Sequence, residues 1–188
     1  MRRIIISMNV TLDGFIAGPD GELDWHLQNW TNDMSQILAE QLNNADTILL
    51  GRNTYSAMAG YWPAVSTAFS LSRDDLAYAE MMNSYRKVVC STTLNSLPWA
   101  NSQLIKKNIH REIVKLKQQP GKDIIVYGSY KLVQYLIKHD LADQYLLWLY
   151  PVAISRGIAL FKNKHTLKLL QSNPLSSGVI ILRYSARG

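Results

Sequence analysis

Short runs of apolar, mostly β-branched residues alternate with segments of helical periodicity through the first three quarters of the chain. The strand-like runs lie at residues 3–10, 46–50, 87–90, 103–105 and 124–127. Apolar residues recur every three or four positions at 31–44 and in the segments after residues 105 and 129, and shorter helices are expected at 55–58 and 74–83. Because parallel strands need helical crossovers, this alternation predicts an α/β fold whose largely parallel sheet carries helices on both faces.

The pattern changes after residue 143. Three strand-like segments, at 144–152, 167–171 and 179–184, follow one another without a helix between them. We therefore expect one domain over residues 1–188 that ends in antiparallel strands.

Local signals refine these elements. Thr31 stands where its side chain can cap the free amides of the helix at 31–44. Pro19 and Gly21 fit a type I turn within a glycine-rich loop at 13–25 that is long enough to close over a ligand. Residues 61–63 are interpreted as a loop.

Composition excludes several classes of protein. The residues are 47% hydrophobic, which is too high for a disordered chain, and a lone Cys90 excludes an internal disulfide framework. The apolar runs are about half the length of a membrane helix, and the four histidines are scattered, so no metal site is expected. These observations favour a cytoplasmic protein that does not enter a membrane.

Charge is divided unevenly along the chain. Residues 1–82 carry four basic and ten acidic side chains, whereas residues 83–188 carry sixteen and four. The basic residues are mostly isolated and the tryptophans do not alternate with them, so nucleic acid is not the expected partner. The asymmetry instead favours a long-range attraction for a small anionic ligand.

Four segments follow strands, where open α/β sheets bind their ligands. They are residues 13–25, 51–54, 91–93 and 128–131. The Gly51-Arg52 pair at a helix start suits a phosphate, and a capped helix with a solvated arginine is an equally good interpretation. The hydroxyls at 91–93 suit a phosphate or simply a turn, and Gly128 allows close approach to the backbone.

Taken together, these segments resemble the dihydrofolate reductase superfamily. More specifically, the chain resembles small bacterial proteins that match the C-terminal reductase domain of the riboflavin-biosynthesis deaminase/reductase. It is carried by SMNVTLDGFIA at 7–17, DTILLGRNTY at 46–55, VYGS at 126–129, LAD at 141–143, PV at 151–152 and LF at 160–161. The resemblance implies a three-layer fold with a central, mostly parallel sheet, and an NADPH-dependent reductase of a small molecule.

The resemblance also implies a role for each segment. The loop over the nicotinamide falls at Asp13, Gly14, Phe15, Ile16 and Ala17, and the phosphate turn at Gly51, Arg52, Asn53 and Thr54. Ser91, Thr92 and Thr93 fall near the adenosine ribose phosphate, and Gly128, Ser129 and Tyr130 at the pyrophosphate. The substrate side falls to Asn9, Asp13, Trp25, Trp30 and Asp33.

Two positions depart from the family pattern. Dihydrofolate reductases place a carboxylate five residues after the tryptophan of the mobile loop, and counting from Trp25 reaches Trp30 here. Asp33 is the nearest substitute, so Asp13 and Asp33 are the predicted catalytic carboxylates, although an acid in the first turn of a helix also suits the dipole. The paired glycines of the family become Gly128 and Ser129.

The expected reaction is hydride transfer to a C=N or C=O bond of a small heterocyclic or sugar-derived substrate. The named activity of the family is 5-amino-6-(5-phosphoribosylamino)uracil reduction, although this chain has no deaminase half. Two alternatives stay open: a nucleotide-binding protein without turnover and a xenobiotic reductase. A homodimer is expected if the strands near 145–152 pair between chains, and an edge covered within one chain explains them equally well.

Overall fold

The computed structural model describes residues 1–29, 31–65 and 73–186. The strands are β1 (Ile4–Thr11), β2 (Phe15–Ala17), β3 (Ala45–Gly51), β4 (Arg86–Cys90), β5 (Ser102–Ile105), β6 (Asp123–Val126), β7 (Gln144–Tyr150), β8 (Ile158–Ala159), β9 (Lys168–Pro174) and β10 (Ile180–Ser185). The helices are a 3₁₀ helix (Asp24–Asn29), α1 (Asn32–Asn43), α2 (Arg52–Val65), α3 (Arg73–Ser84), α4 (Ile109–Gln118) and α5 (Tyr130–Lys138). Within these ranges, every helix is too short or too polar to cross a membrane.

Eight strands form one sheet in the order β5-β4-β3-β6-β1-β7-β10-β9. Neighbours from β5 to β7 run parallel, whereas β10 is antiparallel to both β7 and β9. A separate antiparallel pair joins β2 to β8. The predicted α/β architecture with antiparallel strands at its C-terminal end is confirmed.

Alternation along the strands builds a core on each face of the sheet. In β1, Ile4 and Ile6 pack under α4 and α5, whereas Ile5 packs toward α1. Next to the α1 side, side chains of α2 and α3 cover β3 and β4 around Tyr55 and Trp99. The sheet therefore lies between two helical layers.

Two buried cationic side chains, Arg2 and Lys117, form ion pairs and hydrogen bonds at the amino ends of the strands. Arg2 donates to Asp46 and to Thr47 Oγ1, the latter at 2.7 Å. Lys117 Nζ donates to Asp143 Oδ2 at 2.6 Å, and the same oxygen accepts from Ile4 N at 2.8 Å. These contacts hold β1, β3 and β7 at the edge opposite the one where ligands of such sheets bind.

The helix bounds agree with most of the predictions from the sequence, and one prediction is wrong. α1 and α3 match the helices predicted at 31–44 and 74–83, and Gly21 N donates to Gly18 O at 3.1 Å in the predicted turn. The loop predicted at 61–63 is wrong, because these residues continue α2. Trp62 packs against Tyr78 of α3 with 5.2 Å between ring centroids, and this contact favours helix up to Pro63 and beyond.

Candidate functional site

Four neighbouring strands bring the predicted cofactor segments to one edge of the sheet. β4, β3, β6 and β1 lie side by side and run parallel. The residues at their carboxyl ends are 91–93, 51–54, 128–130 and 13–17. Strand order therefore groups segments that are far apart in the sequence.

The turns after β3 and β6 touch each other. Gly51 N donates to Gly128 O at 2.9 Å. A β-carbon on Gly51 would lie 2.2 Å from Ser129 Oγ, and one on Gly128 would lie 2.8 Å from Thr54 Oγ1. Gly128 also has a φ of +122°, which side chains rarely tolerate. Packing between the two turns and the positive φ both require glycine at position 128, and the approach of a ligand there stays a prediction.

Arg52 links the turn after β3 to the segment after β4. Arg52 Nη1 donates to Thr93 Oγ1 at 2.9 Å, and both side chains remain exposed. Ser91 is buried, and its Oγ accepts from the amides of Thr93 and Leu94 at 3.2 and 3.1 Å. Ser91 thus stabilises the turn, while the polar side chains of Arg52, Thr92 and Thr93 are exposed at this edge of the sheet.

Two helix N-termini open at this edge. α2 begins at Arg52 and α5 begins at Tyr130, and the first amides of a helix have no carbonyl one turn earlier to accept them. These amides and the positive ends of the helix dipoles suit the two phosphates of a pyrophosphate. The donor groups therefore fit the phosphate-bearing part of NADPH.

Sequence reasoning missed two cations near these turns. Lys106 follows β5 directly, and its Nζ donates to Asn95 Oδ1 at 3.1 Å beside the turn that begins at Ser91. Lys162 Nζ lies 5.4 Å from the ring centroid of Tyr130. Lys106 could have been predicted from the sequence, because it is the first basic residue after a predicted strand.

Part of the loop predicted at 13–25 is a strand. Phe15–Ala17 forms β2 and pairs with β8, and Ile16 packs into the core under α4 and α5. A β-carbon on Gly157 would lie 2.2 Å from Ala17 O, so the two backbones approach closely. The segment that the resemblance places over the nicotinamide is thus packed against the chain that follows β7.

Asp13 connects the same loop to the segment after β7 through hydrogen bonds. Its Oδ1 accepts from Thr11 Oγ1 at 2.6 Å, and its Oδ2 accepts from the amides of Ile154 and Ser155 at 3.1 and 2.7 Å. The hydrogen bond from Thr11 is the main reason why the pKa of Asp13 is lowered. These contacts favour a positioning role, and catalysis by Asp13 stays a prediction.

Asn9 and Trp25 lie on the α1 side of the sheet near the ends of β1 and β7. Asn9 is in register with Trp148 on the neighbouring strand. Trp25 packs against the cluster that contains Trp148 and Tyr150, and its ring centroid lies 5.4 Å from that of Tyr150. The structure therefore brings these two predicted substrate residues to one region, whereas Trp30 lies outside the described residues.

Two further residues of this region, His26 and Tyr150, were not found from the sequence. The His26 ring lies 6.1 Å from the Tyr150 ring, and burial lowers the pKa of His26. Trp25 Nε1 is buried and has no hydrogen-bond partner among the described residues, which is uncommon for a buried donor. A half-buried histidine beside an aromatic cluster is a signal that appears only after folding.

Asp33 connects the start of α1 to the hairpin between β9 and β10. Its Oδ1 accepts from the Thr31 hydroxyl and from Met34 N, the latter at 3.0 Å, and its Oδ2 accepts from Ser176 N at 2.8 Å. The prediction that Thr31 caps the helix is wrong, because its side chain makes no capping bond and donates to Asp33 instead. The Thr31 hydroxyl and the Ser176 amide lower the pKa of Asp33 to about 2.

We expect Asp33→Asn to lower the urea midpoint at pH 7 and to flatten its acid dependence. The pKa of Asp33 is about 2 in the folded protein, against an ordinary 3.8, so its carboxylate stabilises the fold above pH 4. That stability is lost as pH falls toward 2. Urea unfolding at pH 7, 4 and 3 measures the difference, and Glu80→Gln on α3 is the control. Equal midpoints for Asp33→Asn and wild type at pH 7 would contradict an anchoring role.

Comparison with known proteins identifies the family of this chain. The profile of the family described as "RibD C-terminal domain" matches residues 2–181. The protein YyaP of Bacillus subtilis strain 168 is 35% identical over 190 residues, which cover 100% of this chain and 96% of YyaP.

Two solved structures share the fold. A Shewanella sp. PV-4 protein assigned provisionally to riboflavin biosynthesis has a TM-score of 0.71 at 18% identity, covering 97% of this chain and 98% of that chain. The Thermotoga maritima diaminohydroxyphosphoribosylaminopyrimidine deaminase/5-amino-6-(5-phosphoribosylamino)uracil reductase has a TM-score of 0.66 at 16% identity, covering 98% of this chain and 56% of that chain. The three-layer fold expected from the sequence is confirmed.

Proposed function

Because the chain belongs to the family of RibD C-terminal domains, we propose that it is an NADPH-dependent reductase of a small heterocyclic or sugar-derived substrate. The supporting observation is the contact between the turns at Gly51 and Gly128, which sets two helix N-termini side by side. The Thermotoga relative is named as a 5-amino-6-(5-phosphoribosylamino)uracil reductase. We propose a reduction of that type, at a C=N or C=O bond, for this chain.

The cofactor half of the site would bind the phosphates of NADPH through backbone amides and cationic side chains. The first amides of α2 and α5 would hold the pyrophosphate. Arg52 and Thr93 are already joined by a hydrogen bond, and with Lys106 they flank the turn after β4, where the adenosine ribose phosphate would lie. Arginine can bind a phosphate with two parallel hydrogen bonds, so Arg52 contributes both affinity and orientation.

The substrate half of the site would orient the substrate and exclude water from it. Trp25 and Tyr150 form an aromatic wall beside Asn9, against which a planar substrate ring would pack. When bound, NADPH supplies the hydride. The β2 and β8 pair holds the loop after β1 in place, and in the proposed reductase this loop would lie over the nicotinamide.

The proton in this proposal comes from solvent rather than from Asp13 or Asp33. Hydrogen bonds lower the pKa of both carboxyls, so both are ionised near pH 7 and neither is suited to donate a proton. We also propose a cytoplasmic location. The half-buried, free Cys90 thiol, whose pKa is raised to about 12 by burial, has no requirement for an oxidising compartment.

A second candidate function is nucleotide binding without turnover. It is favoured by Asp33, because the carboxylate nearest to the family's catalytic position is occupied by Thr31, Met34 and Ser176. In this alternative the phosphate-binding turns are unchanged and only the reaction is lost.

Nucleotide titration followed by an oxidation assay separates the two candidates. NADPH, NADH and FMN are titrated against the full chain by tryptophan fluorescence, and NADPH oxidation is then followed with a panel of pyrimidine, pterin and carbonyl substrates. NADPH binding with oxidation supports the reductase. Binding without oxidation of any substrate supports the second candidate, and no nucleotide binding contradicts both.

We expect Arg52→Ala to weaken NADPH binding by about tenfold or more. A hydrogen bond to a charged group contributes roughly 1.5–3 kcal/mol, and about 1.4 kcal/mol corresponds to tenfold in affinity. Arg111→Ala, an exposed arginine on α4, is the matched control and should leave the Kd unchanged. An unchanged Kd for Arg52→Ala, with an unchanged urea midpoint, would refute the phosphate contact.

A further inference from the structure

The imidazole of His26 lies beside the aromatic wall formed by Trp25 and Tyr150. His26 belongs to the 3₁₀ helix at Asp24–Asn29, and its ring centroid is 5.6 Å from that of Trp25 and 6.1 Å from that of Tyr150. Tyr150 is in register with Thr11, the last residue of β1. His26 is therefore held near the carboxyl end of β1, in the substrate half of the proposed site.

The contact between His26 and the backbone determines which ring nitrogen titrates. Nδ1 contacts the carbonyl oxygen of Leu23. A carbonyl only accepts hydrogen bonds, so Nδ1 carries a hydrogen in both the neutral and the charged ring. Nε2 is therefore the nitrogen that takes up and releases the proton. The contact also fixes the orientation of the ring, which a group that transfers a proton requires.

The surroundings of His26 favour release of this proton. Burial lowers the pKa of His26, whereas the hydrogen bond to Leu23 O and the negative charge of Asp24 act in the opposite direction. Tyr150 is neutral near pH 7, because burial raises its pKa to about 12. The protonated ring is thus a stronger acid than free imidazolium. Since the side chain is only half-buried, solvent can protonate it again.

Given the reductase function proposed above, on which this step rests, we propose that His26 transfers a proton from solvent to the substrate during its reduction. Hydrogen bonds lower the pKa of Asp13 and of Asp33, so both carboxyls are ionised near pH 7 and lack a proton to donate. Histidine is the side chain whose ordinary pKa lies closest to neutral pH. Among the described residues of the aromatic wall and its surroundings, His26 has the group suited to this step.

The proposed step balances in atoms and electrons. The substrate carbon accepts the hydride that NADPH supplies, and the π electrons of the C=N or C=O bond move to the nitrogen or oxygen. That atom forms a bond to the proton that leaves His26 Nε2. The substrate gains one hydride and one proton, and NADP⁺ is the oxidised product. The neutral ring keeps its hydrogen bond from Nδ1 to Leu23 O and takes the next proton from solvent.

His26→Asn separates proton transfer from a structural role. The asparagine amide can donate to Leu23 O as Nδ1 does, but it does not titrate near pH 7. With the panel substrate that wild type reduces fastest, we expect wild-type kcat/KM to fall about tenfold per pH unit above the pKa of His26. His26→Asn should lower kcat about 100-fold at pH 6 and abolish this fall, with the Kd for NADPH and the urea midpoint unchanged. His139→Asn, an exposed histidine at the end of α5, is the matched control.

Proton NMR tests the same group without turnover. The Hε1 resonance of His26 is identified by its loss in His26→Asn, and its titration gives the pKa of His26 in the free protein. We expect a value below 6.5 that equals the pKa in the kcat/KM profile, because that profile reports the free enzyme. A resonance that does not titrate between pH 5 and 8, or that gives a different pKa, would overturn the proposal. If His26→Asn does not fold, substitution of the other three histidines, all exposed, assigns the resonance by elimination.

The outcomes distinguish this step from the reductase function itself. If wild type oxidises NADPH and His26→Asn has the same rate and pH profile, the role of His26 fails and the reductase function stands. A slower His26→Asn with an unchanged pH profile would also contradict proton transfer, because the side chain would then only position the substrate. NADPH binding without oxidation of any substrate would remove the reductase function, and the proposed step with it.

Discussion

Gly51→Ala is expected to destabilise the protein by about 2 kcal/mol or more and to abolish nucleotide binding. The added β-carbon would lie 2.2 Å from Ser129 Oγ and 2.9 Å from Ser129 N. The hydroxyl can rotate away, but the backbone nitrogen cannot move without breaking the bond from Gly51 N to Gly128 O. Inserting one methyl group into packed structure typically costs about 1–3 kcal/mol, and here the clash also separates the two turns.

Gly60→Ala provides a matched control within the same segment of chain. Gly60 lies in α2, and a β-carbon there would have nothing within 4 Å. Alanine should therefore stabilise the helix by about 0.5–1 kcal/mol. Urea unfolding and NADPH titration of both variants measure the contrast. Equal stability of Gly51→Ala and Gly60→Ala would show that the two turns do not depend on close contact.

The position of Gly51 also shows what the sequence can and cannot predict about the site. Its place after a buried strand and before a helix predicted a phosphate turn, and this rests on local pattern alone. The neighbour that requires glycine, Ser129, is far away in the sequence and reaches Gly51 only because β3 and β6 are adjacent. Local pattern therefore indicates where a turn lies, whereas strand order decides which turns meet.

The expectations that failed have the same cause. Residues 61–63 continue a helix because Trp62 packs against Tyr78, and β2 exists because β8 lies beside it. Thr31, predicted to cap α1, instead donates to Asp33, which accepts a hydrogen bond from Ser176 near the other end of the chain. Contacts between distant residues determine these features, and periodicity in one segment carries no information about them.

The alternation of strands and helices was sufficient for the overall architecture. Apolar runs such as 46–50 and 124–127 have to be buried on both faces, and helical crossovers place neighbouring strands in parallel. Lys87, in contrast, was expected only as the first residue of a buried strand. In the structure it is fully buried, and the sequence gives no sign of the groups that surround it.

Lys87 joins the end of α3 to Trp99. Its Nζ donates to Met82 O at 3.1 Å and to Asn83 O at 2.7 Å, and lies 4.4 Å from the Trp99 ring centroid. Trp99 N in turn donates to Tyr55 Oη at 3.1 Å. Tyr55 directly follows the turn at residues 51–54. The ammonium thus binds carbonyls in the last turn of a helix, where the dipole favours a cation, and supports the start of α2.

We expect Lys87→Ala to lower the free energy of unfolding by about 3 kcal/mol. Truncating a long buried side chain leaves a cavity that costs roughly 2–5 kcal/mol, and the carbonyls of Met82 and Asn83 lose a donor. Lys115→Ala is the control, since its side chain is half exposed and pairs with Glu112 at the surface, where such pairs contribute little. A loss below 1 kcal/mol for Lys87→Ala would contradict this role.

The charge on Lys87 makes the free energy of unfolding depend on pH. Lys87→Met isolates this effect, because methionine keeps most of the apolar side chain and removes the ammonium. Burial lowers the pKa of Lys87 to about 8 from 10.5, so between these values the unfolded chain binds the proton that the folded protein has released. Wild type should therefore gain stability over Lys87→Met as pH rises from 8, by up to roughly 1.4 kcal/mol per pH unit. Half-buried tyrosines such as Tyr78, with a pKa raised to about 12, titrate in both proteins and cancel in the difference. Urea unfolding at pH 7, 8, 9 and 9.5 measures the slope, and parallel curves would mean that Lys87 keeps an ordinary pKa in the folded protein.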